Sequence, residues 1–314
     1  MTGRTQSIPS KVFHFDEAKY YRFGLAMGIA NMARNGLRLG LKKTLGKIFQ
    51  PINSYTRFPE YHFMGCQIAA RLNHIALNET PKVLDVGSPK CFGLYVASHF
   101  NVEIHLTDMD VPSVQEAEIL WGVIKHRARG NALFSVQDAR ALKYSDQVFH
   151  IVYSMSVIEH VEGLEGDSKA MRELVRVLKP GGLLIVTVPV GDRYVEQERI
   201  GFQGAARATG DQKHYFFQRI YTAATAEEHI IKAVPGATLR CVVTAYRKNR
   251  VVSRLYRRLG TDTRGLLGCL NPILSVALND TREGVYPVPG SYSSLHSISD
   301  VYSDLMLAWE KNAL

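Results

Sequence analysis

Cysteine is scarce in this 314-residue chain, and the four present, Cys66, Cys91, Cys241 and Cys269, stand far apart with no CxxC pair. Such spacing speaks against a disulfide framework, and no histidine cluster supplies the spacing of a zinc site. No run reaches the roughly 18 apolar residues that a spanning helix needs. The nearest, LLGCLNPILSVAL, is too short. The opening residues, MTGRTQSIPSKVFHF, lack the basic, apolar, small-residue order of a secretory leader, so a reducing cytoplasm is the expected compartment. Repeats and low-complexity tracts are also missing. Acidic residues are absent from 240 to 258, where seven Lys or Arg stand together, and the first 60 residues hold ten Lys or Arg against three Asp or Glu. Within a net charge of +9, these clusters suit a phosphorylated substrate, an anionic lipid surface or RNA, or form a solvated basic face.

What is present is an ordinary globular composition, 46% hydrophobic, able to bury a full core. Residues 15 to 50 alternate polar and apolar positions at helical spacing, giving one or two basic amphipathic helices within an N-terminal extension of residues 1–60. MGCQIAARLNHIAL reads as the helix that leads into the core. From Lys82 the rhythm changes to short apolar runs separated by helical stretches, the mark of a parallel sheet covered on both faces. The runs are KVLDVG, VEIHLTD, ALFSVQD, FHIVYSMS, LLIVTVPV and TLRCVVTAY, with SDVYSDLMLAWEKN as a seventh. The expected fold is α/β, a doubly wound, seven-stranded, mainly parallel sheet. Residues 61–248 form the core, 249–297 an insertion capping a substrate mouth, and 298–314 the last strand. In RVVSRLYRRLG, Val251, Val252, Leu255 and Leu259 share one helical face and Arg250, Arg254, Arg257 and Arg258 another, as in a helix lying on a membrane surface or over an acidic partner.

Ligands of such sheets bind at the carboxyl ends of the strands. The first run closes on Asp85, Gly87, Ser88 and Pro89. Gly87 offers a backbone conformation closed to other residues, and Pro89 suits a helix start. Proline removes a backbone donor that a diphosphate would use, so a cofactor without phosphates fits better. The second run closes on Asp108, 21 residues after Gly87, where a carboxylate can accept from ribose hydroxyls. Asp110 is its rival. The third closes on Asp138 and Ala139, placed to meet an exocyclic amine such as that of adenine. The fourth ends in SMSVIEHVEG, with Glu159 and His160 at its mouth, and an imidazole there can take a proton from an attacking nucleophile. Each of these residues is also compatible with a helix cap, a surface charge or a structural histidine.

As an ordered set, VLDVGS (83 to 88), LTDMD (106 to 110), VQDARAL (136 to 142), HIVYSMSVIEHV (150 to 161) and RELVRVLKPGGLLIVTVP (172 to 189) resemble the class I S-adenosylmethionine-dependent methyltransferases, and most of all their small-molecule, type 11-like branch. The resemblance implies a Rossmann-like fold whose last strand lies antiparallel between the fifth and sixth. It places Asp85, Gly87 and Ser88 at the methionine portion of S-adenosylmethionine, Asp108 and Met109 at the ribose, Asp138 and Ala139 at the adenine, and Ser154 and Met155 along the cofactor. It implies in-line transfer of a methyl group to an O, N or C nucleophile of a small-molecule acceptor, which the basic clusters suggest is amphiphilic or lipid-linked, handled at the inner face of a membrane. His160 is the first candidate for a general base, with His214 and Tyr215 as runners-up. Where the family usually has D-x-G-x-G-x-G, this chain reads DVGSPKC, so Pro89 and Cys91 replace two glycines, and Lys90 adds charge near the cofactor carboxylate or is simply solvated. That departure leaves room for a cofactor binder without catalysis. A nicotinamide dehydrogenase and an RNA methyltransferase are further alternatives, although the SMSVIEH loop lacks the Asn-Pro-Pro-Tyr pattern frequent in RNA-specific branches. The residues do not indicate an oligomeric state or a metal.

Overall fold

The computed structural model describes residues 14–35, 57–75, 79–201, 213–247, 279–283 and 303–313, together with 270, 273, 274 and 277. Helix α1 (Glu17–Asn35) and α2 (Phe58–Leu72) precede the sheet. The core then runs β1 (Lys82–Val86), α3 (Lys90–His99), β2 (Glu103–Asp108), α4 (Val111–Ile124), β3 (Asn131–Val136), β4 (Phe149–Met155), α5 (Gly166–Val177) and β5 (Leu178–Val190). A hairpin follows, β6 (Val195–Gly201) and β7 (Lys213–Ile220), then a short α6 (Ala223–Ala226), β8 (Ala237–Arg247), β9 (Asn279–Glu283) and β10 (Ser303–Lys311).

The main sheet has eight strands in the order β3-β2-β1-β4-β5-β10-β8-β9. β1 to β5 are parallel, and β10 runs antiparallel between β5 and β8, as the resemblance implied. The eighth strand was not anticipated: β9, from within the expected cap, pairs antiparallel with β8 at the sheet edge. The hairpin β6–β7 forms a separate two-stranded sheet and was also not foreseen. Most of the rest of residues 249–297, including the basic helix expected at 250 to 260, lies outside the described residues, as do 1–13 and 36–56 of the N-terminal extension.

Strand alternation sorts the apolar side chains into two layers. Val83, Ile151, Tyr153, Ile185, Met306 and Ala308 face α1, α2 and α3, where Phe15, Tyr20, Tyr61, Phe92 and Tyr95 form an aromatic cluster. Leu84, Val86, Val152, Leu184, Val186, Leu307 and Trp309 face α5 and the Ala226–Ala233 turn on the other side. The N-terminal extension is therefore part of the core on one face. Asn31 Nδ2 of α1 also donates to Glu116 of α4 at 2.5 Å.

The order of strands reverses at β1 and β4: the chain winds outward from β1 to β2 and β3, then returns to β4 and β5. Ligands of doubly wound sheets bind in the crevice at such a point.

Trp309 is fully buried far from the strand mouths, paired across the sheet with Leu184 and Leu239. Trp309→Ala should cost about 3–5 kcal/mol, read as a lower midpoint in urea unfolding, while the protein that remains folded keeps the ligand affinity of the parent.

Candidate functional site at the strand mouths

The β1 mouth is organised by Asp85, whose carboxylate is completely buried. One oxygen accepts from the Ser88 backbone N–H at 2.9 Å, the other from the Tyr153 hydroxyl at 2.9 Å. Tyr153 lies opposite Asp85 in the parallel β1–β4 register, so the bond crosses the switch point. Burial pushes the Asp85 carboxyl upward, and Lys90, the Tyr153 hydroxyl and Ser88 pull it back. Its own carbonyl accepts from the Thr107 hydroxyl, and Gly87 N–H donates to the Thr107 carbonyl, so β2 holds the same turn. Gly87 sits at φ +73°, and a Cβ there would come 2.6 Å from Val157. The turn is left-handed and tightly covered, which only glycine accommodates. Pro89 occupies the N-cap of α3, one residue before the helical position expected for it, and Lys90 begins the helix.

Ser88, Ser154 and Met155 are drawn to the same point. The Ser88 hydroxyl accepts from Met155 N–H at 3.0 Å, and the Ser154 hydroxyl donates to the Val86 carbonyl at 2.9 Å. Both serines are buried and brace β1 against β4.

Lys90 points elsewhere than expected. Its ammonium donates to the Ser88 and Thr107 carbonyls at 3.0 and 2.9 Å and lies 3.1 Å from Asp108 Oδ2. It is mostly buried and joins the β1 and β2 mouths. The other Asp108 oxygen accepts from Asp110 N–H, and Asp110 in turn caps α4 through Ser113 N–H. That separates the two rivals: Asp110 is spent on its helix, while Asp108 stands at the strand tip. Met109 beside it is exposed. One strand further out, Asp138 is gripped by Arg140 through both carboxylate oxygens, which lowers its acidity range, and Ala139 is buried next to it.

The β4 mouth carries a second polar group. Ser156 adopts φ +48°, a conformation that costs a non-glycine residue of order 1–3 kcal/mol. Its N–H donates to the Thr187 carbonyl and its hydroxyl to Glu60 Oε1 at 2.6 Å. Glu60, buried on α2, also accepts from the Thr187 hydroxyl and pairs with Arg57 at 3.1 Å. Glu159 follows in a short turn, Ile158–His160, with its carboxyl buried. His160 is three-quarters covered, and Nδ1 meets the Phe217 carbonyl of β7. A carbonyl only accepts, so Nδ1 carries the proton and Nε2 is left as the basic nitrogen. That Nε2 lies 3.7 Å from Glu159 Oε1. Burial lowers the imidazole from its ordinary value, with Arg57 and Arg199 adding to the effect against the Phe217 bond.

The hairpin is bound to this loop. Arg219 of β7 donates to the Val161 and Gly163 carbonyls and lies near the buried Asp167. Tyr215, opposite Arg199 in the hairpin, is half-buried. His214 pairs with Ile200 in the same ladder, and its side chain falls outside the described residues. Among the described residues no group of His, Cys, Asp or Glu could hold a metal ion.

With this geometry in place, the comparisons bear on identity. Residues 84–186 match the family described as "Methyltransferase domain". That segment, about a third of the chain, is similar to a methyltransferase domain, in keeping with the resemblance carried by its motifs. Over 161 residues the chain is 29% identical to "Phosphoethanolamine N-methyltransferase" of Plasmodium falciparum, covering 50% of this chain and 53% of that protein. It is 31% identical over 110 residues to "Phosphoethanolamine N-methyltransferase 3" of Arabidopsis thaliana, covering 34% of this chain and 20% of that one. The alignments thus span about half, and one fifth, of these relatives. A solved S-adenosylmethionine-dependent methyltransferase of Methanosarcina mazei aligns with a TM-score of 0.48 at 14% identity, covering 77% of this chain and 98% of that one. The matched segment begins within β1 and ends within β5, and so holds the tips of β1 to β4 but not the β5 tip with Thr187 or the hairpin.

Tyr153 and Glu60 escaped the reading of the sequence. A tyrosine inside a fully buried strand was a usable signal, since its hydroxyl needs a partner there. Glu60, a charge in the first turn of a helix outside the domain, gave none.

Lys90→Met tests the ion pair at Asp108, the residue expected at a ribose. Freed of the ammonium, Asp108 should bind S-adenosylmethionine about two- to fivefold more tightly, and the gain should be smaller for S-adenosylhomocysteine, which lacks the sulfonium charge that Lys90 repels. Calorimetric titration of both ligands measures the difference.

Proposed function

We propose that this chain transfers the methyl group of S-adenosylmethionine to an O, N or C nucleophile of a small-molecule acceptor. The observation that carries the reading is the β1–β2 mouth of the methyltransferase domain, where a left-handed, close-packed Gly87 adjoins acceptor oxygens of Ser88, Thr107 and Asp108 that already hold an ammonium. Carbonyls and a carboxylate are the groups that accept from an amino group and from ribose hydroxyls. The fit extends to Asp138 and Ala139 at the next tip, as the side for an adenine. Bound there, S-adenosylmethionine supplies an activated methyl on a positively charged sulfur. Asp85, Ser154 and Met155 act by fixing the turn, since their polar groups are already paired with Tyr153, Val86 and Ser88. Most of the rate would come from orientation and exclusion of water between the loop at β4 and the β6–β7 hairpin.

His160 is the base in this reading, supported by its Nδ1 bond to Phe217, which leaves Nε2 free to accept a proton. Tyr215 and His214 remain secondary candidates on the hairpin. The names of both relatives make nitrogen the first acceptor atom to assay. The basic residues between 240 and 258 support an amphiphilic or lipid-linked acceptor met at an anionic membrane surface, although no helix among the described residues is long and apolar enough to cross a membrane.

Asp108→Asn should weaken S-adenosylhomocysteine binding at least tenfold without lowering thermal stability, and stabilisation of the parent by NAD in place of S-adenosylhomocysteine would refute the reading. His160→Asn should keep cofactor affinity and lose about 10²-fold in kcat. Because burial lowers the folded-state imidazole, the parent's kcat should sit on a plateau at neutral pH and fall only on acidification below the ordinary imidazole value of about 6.5. A pH-rate profile checks the direction, and the His160→Asn profile should lose that limb.

A further inference from the structure

Away from the strand mouths, a thiol, an imidazole and a carboxylate meet where α1 packs on α2. Residues four apart on a helix are neighbours on its surface, and α2 places His62 and Cys66 in that relation. His62 Nε2 lies 3.7 Å from Cys66 Sγ, and Nδ1 bonds to Glu17 in the first turn of α1. The Tyr20 and Tyr61 rings, 4.8 Å apart between centroids, hold the two helices together beside this group. A nucleophile within reach of an imidazole that a third group orients is the arrangement by which proteins activate a thiol. The three side chains do not converge as metal ligands would, since each ring nitrogen faces a different partner, and among the described residues no cluster could hold a metal ion. Glu17 and His62 are exposed and Cys66 is half-buried, so small reagents reach the sulfur. Cys66 follows Glu60 by about 9 Å along the helix axis, which sets it apart from the β4 and β5 tips.

We infer that Cys66 is a modification site, a nucleophilic thiol that His62 and Glu17 prepare for reaction with a hydroperoxide. The inference stands apart from the methyltransferase reading. Bonds to Cys66 and Glu17 raise the His62 imidazole to about 10, against the effect of burial, so at neutral pH both ring nitrogens carry protons and Nε2 donates toward the sulfur. A cation beside a partly exposed sulfur is the surrounding in which cysteines react. Cys91 is the contrast within the same chain: it is buried, and burial pushes its thiol up to about 12. In the step itself the thiolate of Cys66 attacks one peroxide oxygen. The S–O bond forms as the O–O bond breaks, so sulfur is oxidised to a sulfenic acid and the peroxide is reduced. The leaving oxygen keeps the electron pair, takes the Nε2 proton of His62 and departs as water or an alcohol. That proton favours a peroxide over an alkyl halide, whose leaving group needs none. Glu17 keeps the ring in place for the transfer.

The test treats the full, reduced chain with hydrogen peroxide at neutral pH, traps sulfenic acid with dimedone and follows the Cys66 and Cys91 peptides by mass spectrometry. The Cys66 adduct should form roughly tenfold faster than the adduct of glutathione under the same conditions, while Cys91 stays unlabelled. His62→Gln, which keeps a polar side chain but loses the charge and the acidic proton, should slow the Cys66 adduct roughly tenfold, and Glu17→Gln should slow it by a smaller factor. Circular dichroism on each variant confirms that it is folded. A Cys66 that reacts no faster than glutathione, or one whose rate His62→Gln leaves unchanged, would overturn the assignment. Rapid alkylation of Cys66 by iodoacetamide with no acceleration toward peroxide would show a nucleophile without the proton delivery, and the hydroperoxide assignment would be wrong. The comparison of the parent with glutathione decides the matter even if a variant does not fold.

Discussion

The buried carboxylate of Asp85 is the constraint on which the strand mouths depend. It sits at the tip of β1 with no access to water, and its charge is compensated by two donors, one from its own turn and one from Tyr153 across the sheet. Losing either would leave a buried carboxylate partly unpaired, at about 1–3 kcal/mol for each missing bond. Because one donor is local and the other comes from β4, the bond pair fixes the turn and the strand spacing together. Gly87, Ser88 and Lys90 then take positions that follow from it. In the family's terms, an acidic residue and a glycine after the first strand hold the cofactor. Here the acid builds the surface on which a cofactor would lie, and its oxygens are not the ones presented.

A second set of bonds closes the opposite side. Glu60 from α2, Ser156 and Thr187 form one buried group, and Arg219 with the Phe217 carbonyl ties the hairpin to the loop after β4. Ser156 is held in the left-handed region by bonds from both sides. Strained residues of this kind gather where surroundings over-determine the backbone, which is common around working sites. The chemistry proposed for His160 relies on this frame, since its ring is oriented by the Phe217 carbonyl of β7.

The sheet was legible because it is written in local patterns. Continuous apolar runs such as FHIVYSM mark strands buried on both faces, and the acids closing the first runs mark their ends. The position of β10 came only through the resemblance, as nothing in SDLMLAWEK itself says which strands it separates. The tips of β1 and β2 were legible as residue types, yet their partners were not. Lys90 reads as a surface lysine near a cofactor, and its bonds to Ser88, Thr107 and Asp108 depend on how β2 lies against β1. The hairpin was missed because VEQERIG and KHYFFQRI are polar on much of their surface, and their pairing follows from tertiary contacts made by Arg219 and Phe217. Glu60 was missed for the same reason: its partners are 96 and 127 residues away.

The reach of Glu60 into the β4 and β5 tips has a practical corollary for how this protein is divided. The stretch that carries the family signature lies wholly outside α2 and ends one residue before Thr187, so a fragment cut to that signature would retain the tips of β1 and β2 while leaving Ser156 without the Glu60 carboxylate and the Thr187 groups that hold it. The helices ahead of the sheet are in effect a support for the β4 and β5 tips supplied by another part of the chain. Sequence divergence there among relatives would alter how those two tips are held and spare the bonds that join β1 to β2.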